Sequence, residues 1–277
     1  MTQTKDSELK KKLDILADAV KKCGVYARQN QMRVHRQYKS DGTVLTETDL
    51  QVTSTLVPLI KKLFPGCNIV TEEELEGPMD DSAPWTFILD PIDGTDTYSQ
   101  GLPCWCIGLG ILDNKRQPAG SIVYAPRFGR GCDDLFLRTD PGDDVIYMNG
   151  EVLDVSQITE FGAKDKPYAA TGGSDIVTTL PFSKAHVKLR SFGCSIVHIS
   201  CAIVFCGIDG CLDPPCYVWD IAPAHALAIR AGMAFQYWTG EEFSYDDNLL
   251  VDRKKFPKPL VIGTDAWRAE MIRRLNS

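Results

Sequence analysis

Leu9, Leu13, Leu16, Ala17 and Val20 recur at helical spacing and predict an amphipathic helix ending near Gly24. Its lysines, Lys10 to Lys12 and Lys21 to Lys22, belong to the solvated face. A second helix is expected from about Asp49 to Phe64, closed by Pro65-Gly66, with Pro58 inside it as a candidate kink. A short strand, Asn68 to Thr71, leads into an acidic loop, Glu72 to Asp81, and then into the apolar run Trp85 to Asp90. That run reads as a buried strand ending in a carboxylate. Apolar stretches at Cys104 to Leu112, Ser121 to Tyr124 and Asp133 to Arg138 add further strands, whose alternation suggests a mixed or antiparallel sheet covered by helices.

The second half has a different rhythm. Lys188 to Phe192 and Gly210 to Asp213 are candidate strands, and Ser195 to Cys206 is a helix of small and apolar residues. Asp220 to Ala231 reads as a helix with Asp220 as its N-cap and Gly232 just past its end. Alternating strands and helices fit an α/β half. The turn-rich stretch Thr139 to Asp144 is a hairpin or a boundary, giving an expected α+β domain at 1–144 and an α/β domain at 145–277.

Composition narrows the function classes. The 277 residues, 44% hydrophobic and 24% charged, are those of a soluble globular protein. A net charge of −7 argues against nucleic acid or an anionic membrane as partner. The polar, lysine-bearing N-terminus shows no signal or transit segment, and no apolar run approaches the ~18–20 residues of a membrane span. Of the ten cysteines, most lie in apolar stretches without zinc spacing, so reduced, buried thiols in a cytoplasmic protein are expected.

Chemistry concentrates at Asp90-Pro-Ile-Asp93-Gly94-Thr95. Two acids at a strand end beside a Gly-Thr turn can hold Mg²⁺ next to a phosphate, whose oxygens the turn's N–H groups can take. Asp49, Glu72 and Asp220 each have a plainer reading, as a first-turn acid, a solvated loop and an N-cap. Haloacid-dehalogenase-type phosphatases carry a similar Asp-X-Asp-Gly-Thr, but their spacing of two places both acids on one side of an extended segment. Here the spacing is three, with Pro91 between, and the motif lies a third of the way along the chain.

Taken together, Lys39, Thr46-Glu47-Thr48-Asp49, Val70-Thr71-Glu72-Glu73, Asp90 to Thr95 and Trp219-Asp220-Ile-Ala-Pro resemble the inositol monophosphatase family, lithium-sensitive, Mg²⁺-dependent phosphomonoesterases. The resemblance implies a layered αβαβα sandwich of the sugar-phosphatase type, two mixed sheets with helices between and outside. It implies that Glu72, Asp90 and the Ile92 carbonyl bind a first metal, and that Asp90, Asp93 and Asp220 bind a second. Asp49 would reach a weaker third position beside Glu72, partly through water. Thr95 would act with Asp49 or Glu72 on the attacking water, and the Gly94 and Thr95 amides would hold phosphate. The first domain would then carry most metal ligands, and the second Asp220 and the substrate-facing loops. A homodimer is a weaker implication.

No cysteine or serine nucleophile is needed, because a metal makes hydroxide from water near neutral pH. The expected reaction is in-line attack of water on the phosphorus of a small phosphorylated polyol, inositol monophosphate first. Fructose 1,6-bisphosphate, histidinol phosphate and 3′-phosphoadenosine 5′-phosphate are alternatives, and a cation-binding regulatory protein is the non-enzyme alternative. Gly172-Gly173-Ser174, Ser191 to Ser195 and Asp213 resemble the family's substrate-facing loops. Asp213 stands seven residues before Asp220, where the family usually has a glutamate for ring hydroxyls. Pro214-Pro215-Cys216 and Ala231-Gly232-Met233 also depart from the usual pattern. Arg190 reads either as a second anion site or as a surface arginine, and His198 and His225 as packed side chains.

Overall fold

The computed structural model describes residues 2–40, 42–73, 78–129, 131, 133–157, 166–172, 176–205 and 207–277. The middle of the acidic loop at 72–81, together with Gly173 and Ser174, lies outside the described residues.

The first helix, α1 (Thr2–Asn30), does not stop at Gly24. A Cβ there would sit 2.2 Å from Cδ1 of Tyr124, so this glycine lets the helix approach a strand closely instead of ending it. A small antiparallel pair follows, β1 (Gln37–Tyr38) with β2 (Val44–Leu45). The second helix, α2 (Glu47–Leu63), starts two residues before Asp49 and continues through Pro58. Thr46 caps it: its hydroxyl accepts from Thr48 N–H, and Asp49 accepts from Thr46 N–H in return.

Among the described residues, seven strands form the first sheet in chain order: β3 (Asn68–Thr71), β4 (Trp85–Asp93), β5 (Cys106–Asp113), β6 (Pro118–Ala125), β7 (Leu135–Thr139), β8 (Tyr147–Met148) and β9 (Glu151–Val152). β3 and β4 are parallel and the remaining pairs antiparallel. The sheet thus continues past the turn at 139–144 to Val152.

The second sheet holds β10 (Tyr168–Thr171), β11 (Lys188–Ser191), β12 (Gly210–Asp213), β13 (Ala234–Tyr237) and β14 (Leu260–Gly263), in the order β11-β10-β12-β14-β13. β10 runs parallel to both its neighbours, while β14 is antiparallel to both of its own.

Strand alternation sorts the layers. Phe87 and Leu89 of β4 and Ile107, Leu109 and Ile111 of β5 pack with Leu13, Leu16 and Val20 of α1 and Leu56 and Ile60 of α2. Each such fully buried aliphatic contributes about 1.5–3 kcal/mol. Ile88, on the opposite face, belongs to the central core with Ile196 and Ile199 of α6 (Ser195–Val204) and Leu227 of α7 (Ala222–Arg230). That core also takes Ala170, Cys211 and Ile262 from the second sheet. On the far side, Leu212 and Val261 pack against Trp267 and Met271 of the C-terminal helix (Asp265–Leu275). The result is the expected αβαβα sandwich. Gly110 of β5 brings α7 into contact with the first sheet, since a Cβ there would lie 2.7 Å from the Ala222 carbonyl carbon.

Cys23, Cys106, Cys194, Cys201 and Cys211 are buried free thiols, in line with the reduced reading, and Cys67, Cys104 and Cys216 are free and partly buried. No helix among the described residues is long and apolar enough to cross a membrane.

Candidate functional site

β4 does not end at Asp90 but continues to Asp93, and its register against β5 slips on the way. Asp90 pairs with Gly108 and Asp93 with Cys106, so three steps on β4 match two on β5. In a regular strand, residues three apart point to opposite faces. The extra residue of the bulge turns Asp93 back to the side of Asp90, and Pro91 sits where ladder pairing is already broken. Asp220 completes the group, with carboxylate oxygens of all three acids within 4.8 Å of one another.

Asp220 is not the N-cap of α7. It ends a 3₁₀ turn, Val218–Asp220, and its Oδ2 accepts from Tyr217 N–H at 2.7 Å. Ile221 takes the cap position with no side-chain bond. The carboxylate therefore points back over the turn rather than capping the helix. Gly232, just past the helix, has the positive φ of 71° expected there.

Asp93 is fixed from the second half of the chain. Its Oδ2 accepts from Ile196 N–H at 2.6 Å and from the Cys194 thiol at 3.0 Å, and its Oδ1 from Ser195 N–H at 3.3 Å. Even so, burial pushes its carboxyl up to about 7. Burial, then the charge of Asp93, does the same to Asp220. Burial and the charges of Glu72, Asp93 and Asp220 hold Asp90 well above the carboxylate range. Glu72 is raised to about 8 by burial, against the opposing pull of Lys39. Acids crowded out of water in this way need a cation to ionise together.

A second acidic group joins Asp49, Glu72 and Glu73, again with oxygens within 4.8 Å. Lys39 Nζ lies 2.8 Å from Glu72 and 3.0 Å from Glu73. From sequence alone Lys39 carries no role and Glu73 reads as part of a solvated loop. Asp49 is fully buried, its Oδ2 held by Thr46 N–H and Oγ1 and its Oδ1 3.1 Å from Thr95 Oγ1. Thr95 Oγ1 also lies 2.8 Å from the Ile92 carbonyl.

A cavity of about 460 Å³ opens on these groups, and its walls include Glu72, Asp90, Ile92, Asp93, Gly94, Thr95 and Asp220. Gly94 needs its φ of +85° to make the turn into the short helix α3 (Thr95–Ser99). The β1–β2 pair supplies Tyr38, Thr43 and Val44 to the same cavity. The Asp41-Gly42 dipeptide between two extended stretches is the sequence signal for this hairpin, and Gly42 takes the positive φ such a turn uses.

A neighbouring cavity of about 380 Å³ shares Thr43, Glu72 and Asp220 with the first, and adds Lys39, Tyr217, Trp219, Arg253 and Lys255. The Tyr217 and Trp219 rings stack at 4.6 Å. Arg253 lies over Trp219 while donating to the carbonyls of Thr71 and Glu72, and Lys255 lies over Tyr217.

Other expected substrate groups are placed differently. Asp213 is fully buried, and its Oδ1 accepts from Gly172 N–H and the Cys211 thiol. It is not among the walls of either cavity. Ser174 lies outside the described residues. Arg190 is exposed over the Tyr168 ring, a surface arginine. His198 and His225 are packed, the first accepting from Phe192 N–H and the second bonded to the Tyr245 hydroxyl.

A hard divalent cation fits the main cluster. The donors of the Asp90–Asp93–Asp220 group are all oxygens, and buried Asp90 Oδ1 has no hydrogen-bond partner among the described residues.

The inositol monophosphatase family profile matches residues 8–266. Inositol monophosphatase 3 of Solanum lycopersicum is 29% identical over 245 residues, 83% of this chain and 87% of that protein. Among solved structures, an IMPase of Thermotoga maritima superposes with a TM-score of 0.78 at 22% identity, covering 95% of this chain and 96% of its own. An IMPase/NADP phosphatase complexed with Mg²⁺ and phosphate gives 0.75 at 17% identity, covering 97% and 96%.

Proposed function

This chain belongs to the inositol monophosphatase family, and we propose that within this family of phosphoric monoester hydrolases it acts on a small phosphorylated polyol, inositol monophosphate first. The observation that carries this reading is the convergence of Asp90, Asp93 and Asp220 on a cavity whose wall also holds Gly94 and Thr95. Two to three Mg²⁺ ions suit the acids present. Glu72, Asp90 and the Ile92 carbonyl would hold one, and Asp90, Asp93 and Asp220 another. Asp49 beside Glu72 would hold the weakest. Bound there, Mg²⁺ offsets phosphate charge and lowers the pKa of water.

The chain's own groups do the rest. The amides of Gly94 and Thr95 take phosphate oxygens. Thr95 Oγ1, 3.1 Å from Asp49 Oδ1, positions the attacking water, and Asp49, held up to about 6 chiefly by burial, accepts its proton. The Ile196 and Ser195 N–H groups and the Cys194 thiol keep Asp93 from turning away. Burial pushes the thiols of Cys106, Cys194 and Cys216 up, so none competes as nucleophile.

The test is Mg²⁺-dependent phosphate release from inositol 1-phosphate, fructose 1,6-bisphosphate, histidinol phosphate and 3′-phosphoadenosine 5′-phosphate, each with and without Li⁺. Release from none would overturn the assignment and favour a cation-binding protein. One feature supports a second reading. Asp213 is withdrawn from the cavity, while Lys39, Lys255 and the Tyr217–Trp219 stack border the cavity beside it. That wall suits a leaving group with a second phosphate or an aromatic base.

A further inference from the structure

We propose that Asp93, Cys106 and Cys194 form a site for one thiophilic divalent cation, Zn²⁺ or Cd²⁺, that inhibits the enzyme by removing Asp93 from the Mg²⁺ ligand set. The three side chains come from three fixed places. Asp93 ends β4, Cys106 is its register partner at the start of β5, and Cys194 directly precedes α6. All three are buried, and one donor atom from each lies within 4.8 Å of the others.

The sulfurs already have the spacing of a metal site. Cys106 Sγ and Cys194 Sγ are 3.7 Å apart. Zinc–sulfur bonds of about 2.3 Å in a tetrahedron put two sulfurs roughly 3.7–3.8 Å apart. Cys194 Sγ lies 3.0 Å from Asp93 Oδ2, a hydrogen bond that a shared cation replaces with only a small separation of the two atoms. Asp93 forms part of the cavity wall while Cys106 and Cys194 lie buried behind it, so a cation would reach the thiols past Asp93. Water from the cavity side would supply the fourth ligand.

The hard/soft division makes the site selective. Mg²⁺ takes the oxygens on the cavity side and leaves the thiols alone, whereas Zn²⁺ and Cd²⁺ favour thiolate. Binding is an exchange without redox change: two S–H bonds break, two metal–sulfur bonds form, and two protons pass to solvent. The binding half of this proposal stands apart from the substrate reading, and the inhibitory half rests on it.

The experiment uses the full chain with saturating Mg²⁺ and a non-thiol reductant, titrated with Cd²⁺. The ultraviolet thiolate-to-cadmium band, proton release and phosphate release are followed together. The wild type is expected to take one Cd²⁺ with a two-thiolate band and two protons released, losing turnover as the band grows. Cys106→Ser should keep Mg²⁺-dependent turnover, halve the band and raise the half-inhibiting Cd²⁺ concentration about ten-fold or more. Cys67→Ser, which alters a partly buried thiol packed in the α1–α2 core, should behave as wild type. A band and inhibition unchanged in Cys106→Ser, or lost in Cys67→Ser, would overturn the site. Full Cd²⁺ uptake with undiminished turnover would overturn the inhibition. Should no phosphomonoester be turned over at all, the band and the proton count still read the site.

Discussion

Thr95 Oγ1 lies 3.1 Å from Asp49 Oδ1, and the other oxygen of Asp49 is held by Thr46 at the start of α2. One carboxylate thus both caps a helix and faces the proposed reaction centre. Asp49→Asn should reduce kcat about 10²–10⁴-fold, the usual range for a lost general base. Thr46→Ala should mainly cost stability, about 1 kcal/mol for the lost cap. Steady-state kinetics and thermal melts of both variants check this. Equal loss of turnover in the two would mean that Asp49 serves only the helix.

Asp93→Asn and Asp90→Asn should each abolish turnover at saturating Mg²⁺ while leaving far-UV circular dichroism unchanged. Removing one charge from a crowded, buried group should also raise the melting temperature of the metal-free chain. Near-normal phosphate release by either variant would sink the ligand assignment.

Stability should depend on pH and Mg²⁺ together. Folding raises Asp93 and Asp220 to about 7 and Glu72 to about 8, so the folded chain keeps protons that the unfolded chain has already released. Stability from these groups is present at low pH and lost as pH rises through about 7–8. Mg²⁺ binds the ionised acids, so its stabilising effect should be small near pH 5 and largest near pH 8. Melts with EDTA and with Mg²⁺ across that range test the sign, and a metal-free melting temperature that climbs with pH would contradict it.

Gly24→Ala sets two effects against each other. Alanine gains about 1 kcal/mol of helix propensity over glycine. The new Cβ meets Tyr124 at 2.2 Å, deep inside contact distance, and overpacking of that kind costs about 1–3 kcal/mol. Net destabilisation is expected by urea unfolding. Tyr124→Leu, which opens the space, should make the same substitution neutral or favourable.

Lys255→Ala discriminates between leaving groups. It should raise KM for 3′-phosphoadenosine 5′-phosphate several-fold and leave inositol 1-phosphate unaffected, if the wall of Tyr217, Trp219 and Lys255 receives the leaving group. Equal effects on both would remove that wall from substrate recognition.

The acids were legible because their chemistry is local: Asp90, Asp93, Gly94 and Thr95 lie within one turn, and Asp49 and Glu72 sit at element ends. The layered fold was legible from the run of apolar strands and helices and from the family resemblance. What holds Asp93 was not legible, since Ile196 and Cys194 reach it from a hundred residues away. Gly24 misled because a helix-ending glycine and a close-packed glycine look alike without the opposing Tyr124. Asp220 misled likewise, because an acid just before a helix can bond forward or backward, and here it bonds backward to Tyr217. β13 and β14 are hard to read from sequence because the second pairs back across more than twenty residues that include a short helix, Asp247–Leu250.

The slip between Asp90 and Asp93 acts as a change of parity. On a regular strand, two acids meet when their positions differ by an even number, and an odd difference drives them apart. β4 reaches the same meeting with an odd count by carrying one surplus residue. Losing the slip at unchanged length would therefore move one acid to the far face, whereas a one-residue deletion that straightened the ladder would leave the two acids two positions apart on one face. The slip of this short segment, as much as its spelling, determines where the charge is gathered.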